Sequence, residues 1–331
     1  MRYEQCRVGF AGLDPGTALD PLNANFTISS KTVTVSKVSI FEDESATVTV
    51  TGTGFDTEAA IGTRPPLAGK KAGFYIAFGK FAANWKPSTG AASSTRKAAS
   101  QVWALPAAGL AEPIMAGPCA VQGDHDPCVE LNPDGSFTAT VKVSKAAANA
   151  VSGVDASHVN YGIYTYAGSG STTAAVETYT PIEFTTPKVE VERVSFSSAE
   201  TATVSVSGSG FNPASAIGGQ VPLKDKQAGV FVSFGKFAES WRPSEGNDKD
   251  TRPISNRSRF WAIPAQSYTD AMNDTLIGET FAEKCAVDQG HDPCVTLNED
   301  GTFEATLEVS KADADAAAAA IANPAAALVN Y

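Results

Sequence analysis

The chain repeats itself, and that self-similarity limits the possible folds more than any single motif does. Ala46-Thr-Val-Thr-Val-Thr-Gly-Thr-Gly-Phe55 returns as Ala202-Thr-Val-Ser-Val-Ser-Gly-Ser-Gly-Phe211. Ala72-Gly-Phe-Tyr-Ile-Ala-Phe-Gly-Lys-Phe81 returns as Ala228-Gly-Val-Phe-Val-Ser-Phe-Gly-Lys-Phe237, and Trp85-Lys-Pro-Ser88 as Trp241-Arg-Pro-Ser244. The offset is 156 through these blocks and 158 at Trp103-Ala-Leu-Pro against Trp261-Ala-Ile-Pro. It is 166 at Cys119 and Cys128 against Cys285 and Cys294, and 170 at Val159-Asn-Tyr161 against Val329-Asn-Tyr331. The larger insertions therefore fall between Trp261 and Cys285 and after Lys311, where connecting segments accept them.

The first copy continues past Tyr161 with Gly-Ile-Tyr-Thr-Tyr, a Gly/Ser turn and Glu177-Thr-Tyr-Thr-Pro-Ile-Glu-Phe184, and the second has no counterpart. The expectation is a second repeat lacking its last two strands, in a fragment of a longer protein. Its open sheet edge should make 189–331 less stable than 33–185 and prone to pairing. Residues 1–30 fit neither repeat start. Arg7-Val-Gly-Phe10 and Asn25-Phe-Thr-Ile28 read as two strands around a polar loop, the closing hairpin of a preceding repeat. Such a hairpin would account for Cys6 and for Met1–Phe10 not reading as a signal peptide. The division is 1–30 as that tail, 31–185 as the first repeat and 186–331 as the second.

At 331 residues two domains are expected, taking roughly 150 residues for each. A net charge of −11 argues against a nucleic-acid partner, because the one basic cluster, Lys249, Arg252, Arg257 and Arg259, is loose. No run of 18 apolar residues is present, so no membrane span is expected in this segment.

The strands are short and alternate. Val33–Ile40 and Thr47–Thr51 alternate apolar with small polar residues, which reads as a half-buried strand of period two. Asp134-Gly135 and Asp300-Gly301 are hairpin turns. Several such strands in each repeat predict an all-β fold of tandem sandwiches. One helix interrupts it: Ser310 caps an Ala-rich run over Lys311–Ala322, Asp313 and Asp315 suit its N-terminal dipole, and Pro324 stops it. A shorter Ala-rich stretch follows Ser144.

The order of these pieces carries a resemblance. An opening Val/Thr strand leads to a Gly-x-Gly-Phe turn and Gly73-Phe-Tyr-Ile-Ala-Phe-Gly79. An Asp-Gly hairpin with Ser136-Phe-Thr-Ala-Thr-Val141 follows, then Tyr161-Gly-Ile-Tyr-Thr-Tyr166 and a last strand ending Pro181-Ile-Glu-Phe184. In that order the chain resembles the neocarzinostatin-like immunoglobulin fold of actinobacteria. It is similar also to repeats of actinobacterial cell-surface proteins, some of which carry haem-binding HtaA-type domains. The resemblance covers 33–185 in full and 189–331 in part. It implies tandem immunoglobulin-like sandwiches at a cell surface. No ligand site carries over from it.

Cys119/Cys128 and Cys285/Cys294 recur with eight residues between them, as local disulfides do outside the cytosol. Each would contribute about 2–3 kcal/mol in the chain-entropy model. A Zn site from Cys119, His125, Asp126 and Cys128 is the rival reading, although the spacing is unusual for one. Asp124, Asp126 and Asp134 raise calcium, but without EF-hand spacing, and turn chemistry accounts for Asp134. Tyr161 or Tyr164, with His158 close in sequence, could ligate haem, against the commoner reading of a Tyr-rich strand. No cofactor or metal is expected.

The recurring aromatic and basic block is the candidate ligand-binding surface. It comprises Phe78, Lys80, Phe81, Trp85 and Lys86, and again Phe234, Lys236, Phe237, Trp241 and Arg242. Exposed, these rings and cations would stack on a sugar or aromatic ligand; buried, they are core. No catalytic motif is present: no Gly-x-Ser-x-Gly elbow, His-Glu-x-x-His or Walker loop, and only three His. The expected function is an extracellular, wall-associated spacer or adhesion array, not an enzyme. Its expected partners are wall or host-surface glycans or proteins, and further repeats of the same protein. A binding module for glycan, wall polymer or haem is the alternative.

Overall fold

The computed structural model describes residues 30–331, except 122, 124, 194, 198, 289, 290 and 322–326. The expected hairpin of 1–30, Cys6 and the stop at Pro324 lie outside the described residues. The first set of strands is β1 (Thr32–Val35), β2 (Ser39–Phe41), β3 (Ser45–Thr53), β4 (Phe74–Ala82), β5 (Arg96–Leu105), β6 (Cys128–Glu130), β7 (Phe137–Ser144), β8 (His158–Ala167), β9 (Thr178–Pro181) and β10 (Glu183–Thr185). Two short helices, α1 (Ala107–Leu110) and α2 (Lys145–Ala150), lie in its connections. One sheet has the order β1–β3–β7 and the other β6–β5–β4–β8–β9, while β10 pairs with β2 in parallel. The run Val33–Ile40 is thus two strands, broken at 36–38.

Alternation explains the packing of the first sheet. Val48 and Val50 of β3 and Phe137, Ala139, Val141 and Val143 of β7 face inward, with Thr49, Thr138, Thr140 and Lys142 between them outside. They meet Phe74, Ile76 and Phe78 of β4, Val102 of β5 and Ile163 of β8 in one core. Burying such a face is the main stabilising term, at about 25 cal/mol per Å² of apolar surface. Gly52 makes the fit possible: the Phe137 ring lies on it, and a Cβ there would sit 2.1 Å from a ring carbon. Gly54 turns the chain with φ +75°, a conformation that only glycine adopts freely. The repeated Gly-x-Gly-Phe motif is therefore a seat for a core ring followed by a turn.

The second sheet is buried on both faces. Tyr75, Ala77, Phe81, Trp103, Tyr164 and Tyr166 point away from the first core, under the loops 60–72, 83–95 and 106–127. This double burial is why β4 reads as an almost continuous apolar run rather than an alternating one.

The second set repeats the first with β11 (Lys188–Val191), β12 (Thr201–Ser209), β13 (Val230–Gly235), β14 (Phe237–Ala238), β15 (Ile254–Pro264), β16 (Cys294–Leu297), β17 (Phe303–Ser310) and β18 (Leu328–Asn330). Its β11–β12–β17 sheet has the same register as β1–β3–β7. Val33 opposite Gly52 becomes Val189 opposite Gly208, and Gly52 opposite Phe137 becomes Gly208 opposite Phe303. The other pairings are β13–β15–β16 and β14–β18. The insertion after Trp261, expected only as a connection, contains two helices, α3 (Ala265–Met272) and α4 (Gly278–Lys284), which cover Trp261 and the Cys285–Cys294 pair. The expected Ala-rich helix is α5 (Lys311–Ala319), capped by Ser310 Oγ accepting from Asp313 N at 3.2 Å. Ser144 caps α2 in the same way.

Candidate functional site

The aromatic and basic block has two different fates. In the first copy Phe78 and Phe81 are fully buried and Trp85 is 4% exposed. Phe81 stacks on Tyr164 at 3.9 Å, and the Trp85 ring meets Tyr164 edge-on at 5.0 Å. The turn that carries Trp85 is fixed by Arg96, whose Nη1 donates to Trp85 O at 2.9 Å and Ala91 O at 3.3 Å. Lys80 reaches Asn149 Oδ1 at 3.3 Å and lies over the Tyr161 ring, and Lys86 is exposed. These rings present no open aromatic face to a ligand.

In the second copy Phe234, Lys236 and Phe237 are half-buried, and Trp241 (40% exposed) and Arg242 are at the surface. The turn is the same, with Arg252 Nη1 donating to Trp241 O at 3.3 Å. The difference comes from elsewhere: Tyr164, Tyr166 and Tyr179, which cover the first block, have no counterparts among the strands of the second set. Phe231, the counterpart of Tyr75, is exposed for the same reason; it stacks on Trp261 at 4.8 Å with Arg259 over its face.

Sequence reasoning missed a polar cleft of about 630 Å³ on the outer side of the five-stranded sheet, lined by Arg64, Tyr75, Arg96, Tyr166 and the 169–172 backbone. The loop carrying Arg64 is held by Thr63 N and Arg64 N donating to Ser169 O at 2.9 and 3.0 Å. Tyr166 donates to Gln101 Oε1 at 2.8 Å, and the Arg96 guanidinium lies 5.4 Å from its ring. Burial pushes the Tyr166 and Tyr75 hydroxyls above the ordinary tyrosine range, so both remain neutral. Burial also lowers the Arg96 pKa from a very high starting value. Two cations beside the Tyr75 hydroxyl suit an anionic, hydroxyl-bearing ligand, while the Tyr166 proton is held by Gln101. The neighbouring carboxylate, Glu177, is engaged by Ser88 N at 2.8 Å and Ser88 Oγ at 2.6 Å.

The metal and haem readings find their residues committed elsewhere. Cys119 is bonded to Cys128 and Cys285 to Cys294, which removes the thiolates a Zn site would need. Asp126 and Asp292 close the turn by accepting from Cys128 N and Cys294 N, both at 3.2 Å. Asp134 accepts from Ser136 N, and Asp124 lies outside the described residues. Among the described residues no group of three His, Cys, Asp or Glu is placed to hold a metal ion. His158 is buried with Nδ1 2.9 Å from Asp155 Oδ1 and Nε2 2.9 Å from Ser94 O. Tyr164 donates to Asn160 O, its ring stacked between Phe81 and Tyr179, and Tyr161 donates to Asn149 Oδ1.

A second cavity, an apolar groove of about 460 Å³, opens in the second set between β11 and β13 and reaches Phe196, Phe234 and Tyr331. The expected open edge pointed to this region, but not to a groove into the core. No protein-family model matches the chain, and no curated protein is detectably similar to it.

Proposed function

We propose that the chain is part of a non-catalytic, extracellular array of tandem immunoglobulin-like sandwiches that spaces or displays other parts of a cell-surface protein. The observation that carries this reading is the burial of the first copy's aromatic block. Phe78, Phe81 and Trp85 serve packing, so in the first copy the recurring motif is a structural one, whereas Trp241 of the second copy is 40% exposed. The same registers recur in the second copy, as they do when one unit is used twice. Two local disulfides fit an oxidising compartment. No helix among the described residues is long and apolar enough to cross a membrane. The two-residue joint at Thr186-Pro187 favours a stiff connection, since Pro fixes its own φ and restrains the residue before it.

The Arg64–Arg96 cleft favours a second reading, a binding module for an anionic wall or host glycan. A thermal-shift screen of the chain with neutral and acidic glycans, hemin, Ca²⁺ and Zn²⁺ separates the two. A ligand at 100 times its Kd stabilises the folded form by about 2.7 kcal/mol. The spacer reading expects no shift with any of them. A shift with acidic glycans that is lost in Arg64→Ala would replace it with the binding module.

A further inference from the structure

The joint between the two units differs from the rest of the molecule in one respect: its residues do not recur. The offset of 156 that relates Ala46–Phe81 to Ala202–Phe237 extends back to the start of each copy, where the Lys37–Glu44 ion pair returns as Arg193–Glu200. A residue that the fold itself requires should therefore return 156 positions on. Four residues where the units meet do not.

Phe41, at the end of β2, is the first. Its ring lies against Gly301 of the second unit, where a Cβ would sit 2.5 Å from Phe41 Cε1, and Lys37 Nζ lies 5.4 Å from the ring centroid. Ser197 holds the same place in the second copy, so the fold does not call for a ring there. The receiving corner, by contrast, is common to both copies. Phe211 N donates to Gly301 O at 3.1 Å, as Phe55 N does to Gly135 O at 3.1 Å.

Asp43 and Asn212 are the second and third. Asn212 Nδ2 donates to Asp43 Oδ1 at 3.0 Å across the joint. Their counterparts are Ala199 and Asp56. Within its own unit Asn212 does what Asp56 does: Asp56 Oδ1 accepts from Glu58 N at 2.8 Å, and Asn212 Oδ1 from Ala214 N at 3.0 Å. Carboxylate and amide serve equally as that acceptor, but only the amide has N–H groups left for Asp43. Pro187, at the place of Lys31, is the fourth. It fixes its own φ and restrains Thr186, whose carbonyl runs so close to Gly210 that a Cβ there would lie 2.2 Å from it.

Units joined in tandem move relative to one another unless something holds them. We infer that the corner made by Gly210–Asn212 and Gly301 is a docking site for Phe41 and Asp43, and that this contact, with Pro187, locks the two units at one angle. Residues on both sides have the identities that the contact needs and the fold does not. The inference rests on the spacer reading for its use and not for its geometry, so the ligand screen and a measurement of orientation fail independently.

Residual dipolar couplings of the full chain in a weakly aligning medium provide that measurement. Amides of the two units should fit one shared alignment tensor. Phe41→Ser, Asp43→Ala and Asn212→Asp together give each position the identity it has in the other copy, which the fold already accepts. The units should then need separate tensors, with the couplings of one scaled down against the other, while amide shifts inside each unit stay in place. Asn212→Asp alone sets a carboxylate against Asp43 and should loosen the joint. Adding Asp43→Asn moves the amide donor to the other side and should restore the shared tensor. Wild-type units that need two tensors overturn the inference. So does a triple variant that still fits one, since Thr186-Pro187 alone would then set the angle, or an Asn212→Asp, Asp43→Asn pair no better aligned than Asn212→Asp.

Discussion

Trp85 and Trp241 form a matched pair: each follows the same Phe-Gly-Lys-Phe run, sits on the same turn and has its carbonyl held by an Arg. They differ in what covers them, so truncating each isolates the cover. Trp85 is 4% exposed, with Tyr164 and Phe81 rings at 5.0 and 6.1 Å. Trp241 is 40% exposed, and its ring neighbour is Phe237 at 5.7 Å. A buried Trp covers on the order of 200 Å². At about 25 cal/mol per Å² the loss is about 5 kcal/mol for Trp85 and about 3 for Trp241. The additional aromatic pair adds about 1 kcal/mol to the Trp85 side. Trp85→Ala should therefore cost about 2–3 kcal/mol more, at the upper end of measured aromatic truncations. In calorimetry that is an excess fall of about 5–10 °C in its unit's transition. Acrylamide quenching of the Trp→Phe variants provides an independent check: the strongly quenched fraction should vanish with Trp241 and persist without Trp85. Equal costs, or a larger cost at Trp241, would refute the assignment of the first block to the core, and the spacer reading with it.

Three other outcomes follow from the same structure. Gly52→Ala drives a Cβ into the Phe137 ring and should lower stability by about 1–3 kcal/mol in urea unfolding, whereas Gly117→Ala, with open space around it, should leave the midpoint unchanged. Burial raises the Tyr164 and Tyr166 hydroxyls above the unfolded value near 10, so the folded state retains protons that the unfolded state loses. Stability should thus fall as pH rises above about 10, and absorbance near 295 nm should show these two ionising only as the first unit unfolds. Asp155, held down to about 2 by the hydroxyl and amide of Ser157 and then by His158, stabilises the fold above the unfolded carboxylate value near 3.9 and loses that contribution as pH falls toward 2. Asp155→Asn should flatten the melting temperature over that interval and leave neutral pH less affected.

What the sequence made legible were the features encoded by short-range pattern. The alternation of Thr47–Thr51 placed Val48 and Val50 inside, the Asp-Gly pairs marked the turns at Gly135 and Gly301, and Ser310 marked the cap of α5. The paired cysteines were legible because the local spacing recurs, although spacing alone left Zn open. Features set by distant residues were not legible. Trp85 and Trp241 have nearly the same neighbours in sequence, and their burial is decided by Tyr164 and Tyr166, some eighty residues after Trp85. The Arg64–Arg96 cleft gives no spacing signal, because Ser169 and Gly170, from the far side of the unit, hold one wall in place. Helices α3 and α4 were hidden in an insertion without a strong periodic stripe, where Phe281 packs on Trp261 only once the sheet exists.

The parallel pairing of β2 with β10 bears on how the chain carries load. Tension along the backbone enters β2 from its N-terminal side and leaves β10 from its C-terminal side. Because these neighbours point the same way, the pull slides one along the other instead of lifting it off. The bonds from Glu183 N to Val38 O at 2.8 Å and from Glu42 N to Thr185 O at 2.9 Å, at the two ends of the ladder, must then stretch together. A ladder loaded in shear resists as a sum of its bonds, whereas a peeled one yields bond by bond. Cutting an end bond, for example with Glu183→Pro, should therefore lower the force at which the first unit extends far more than it lowers its melting temperature.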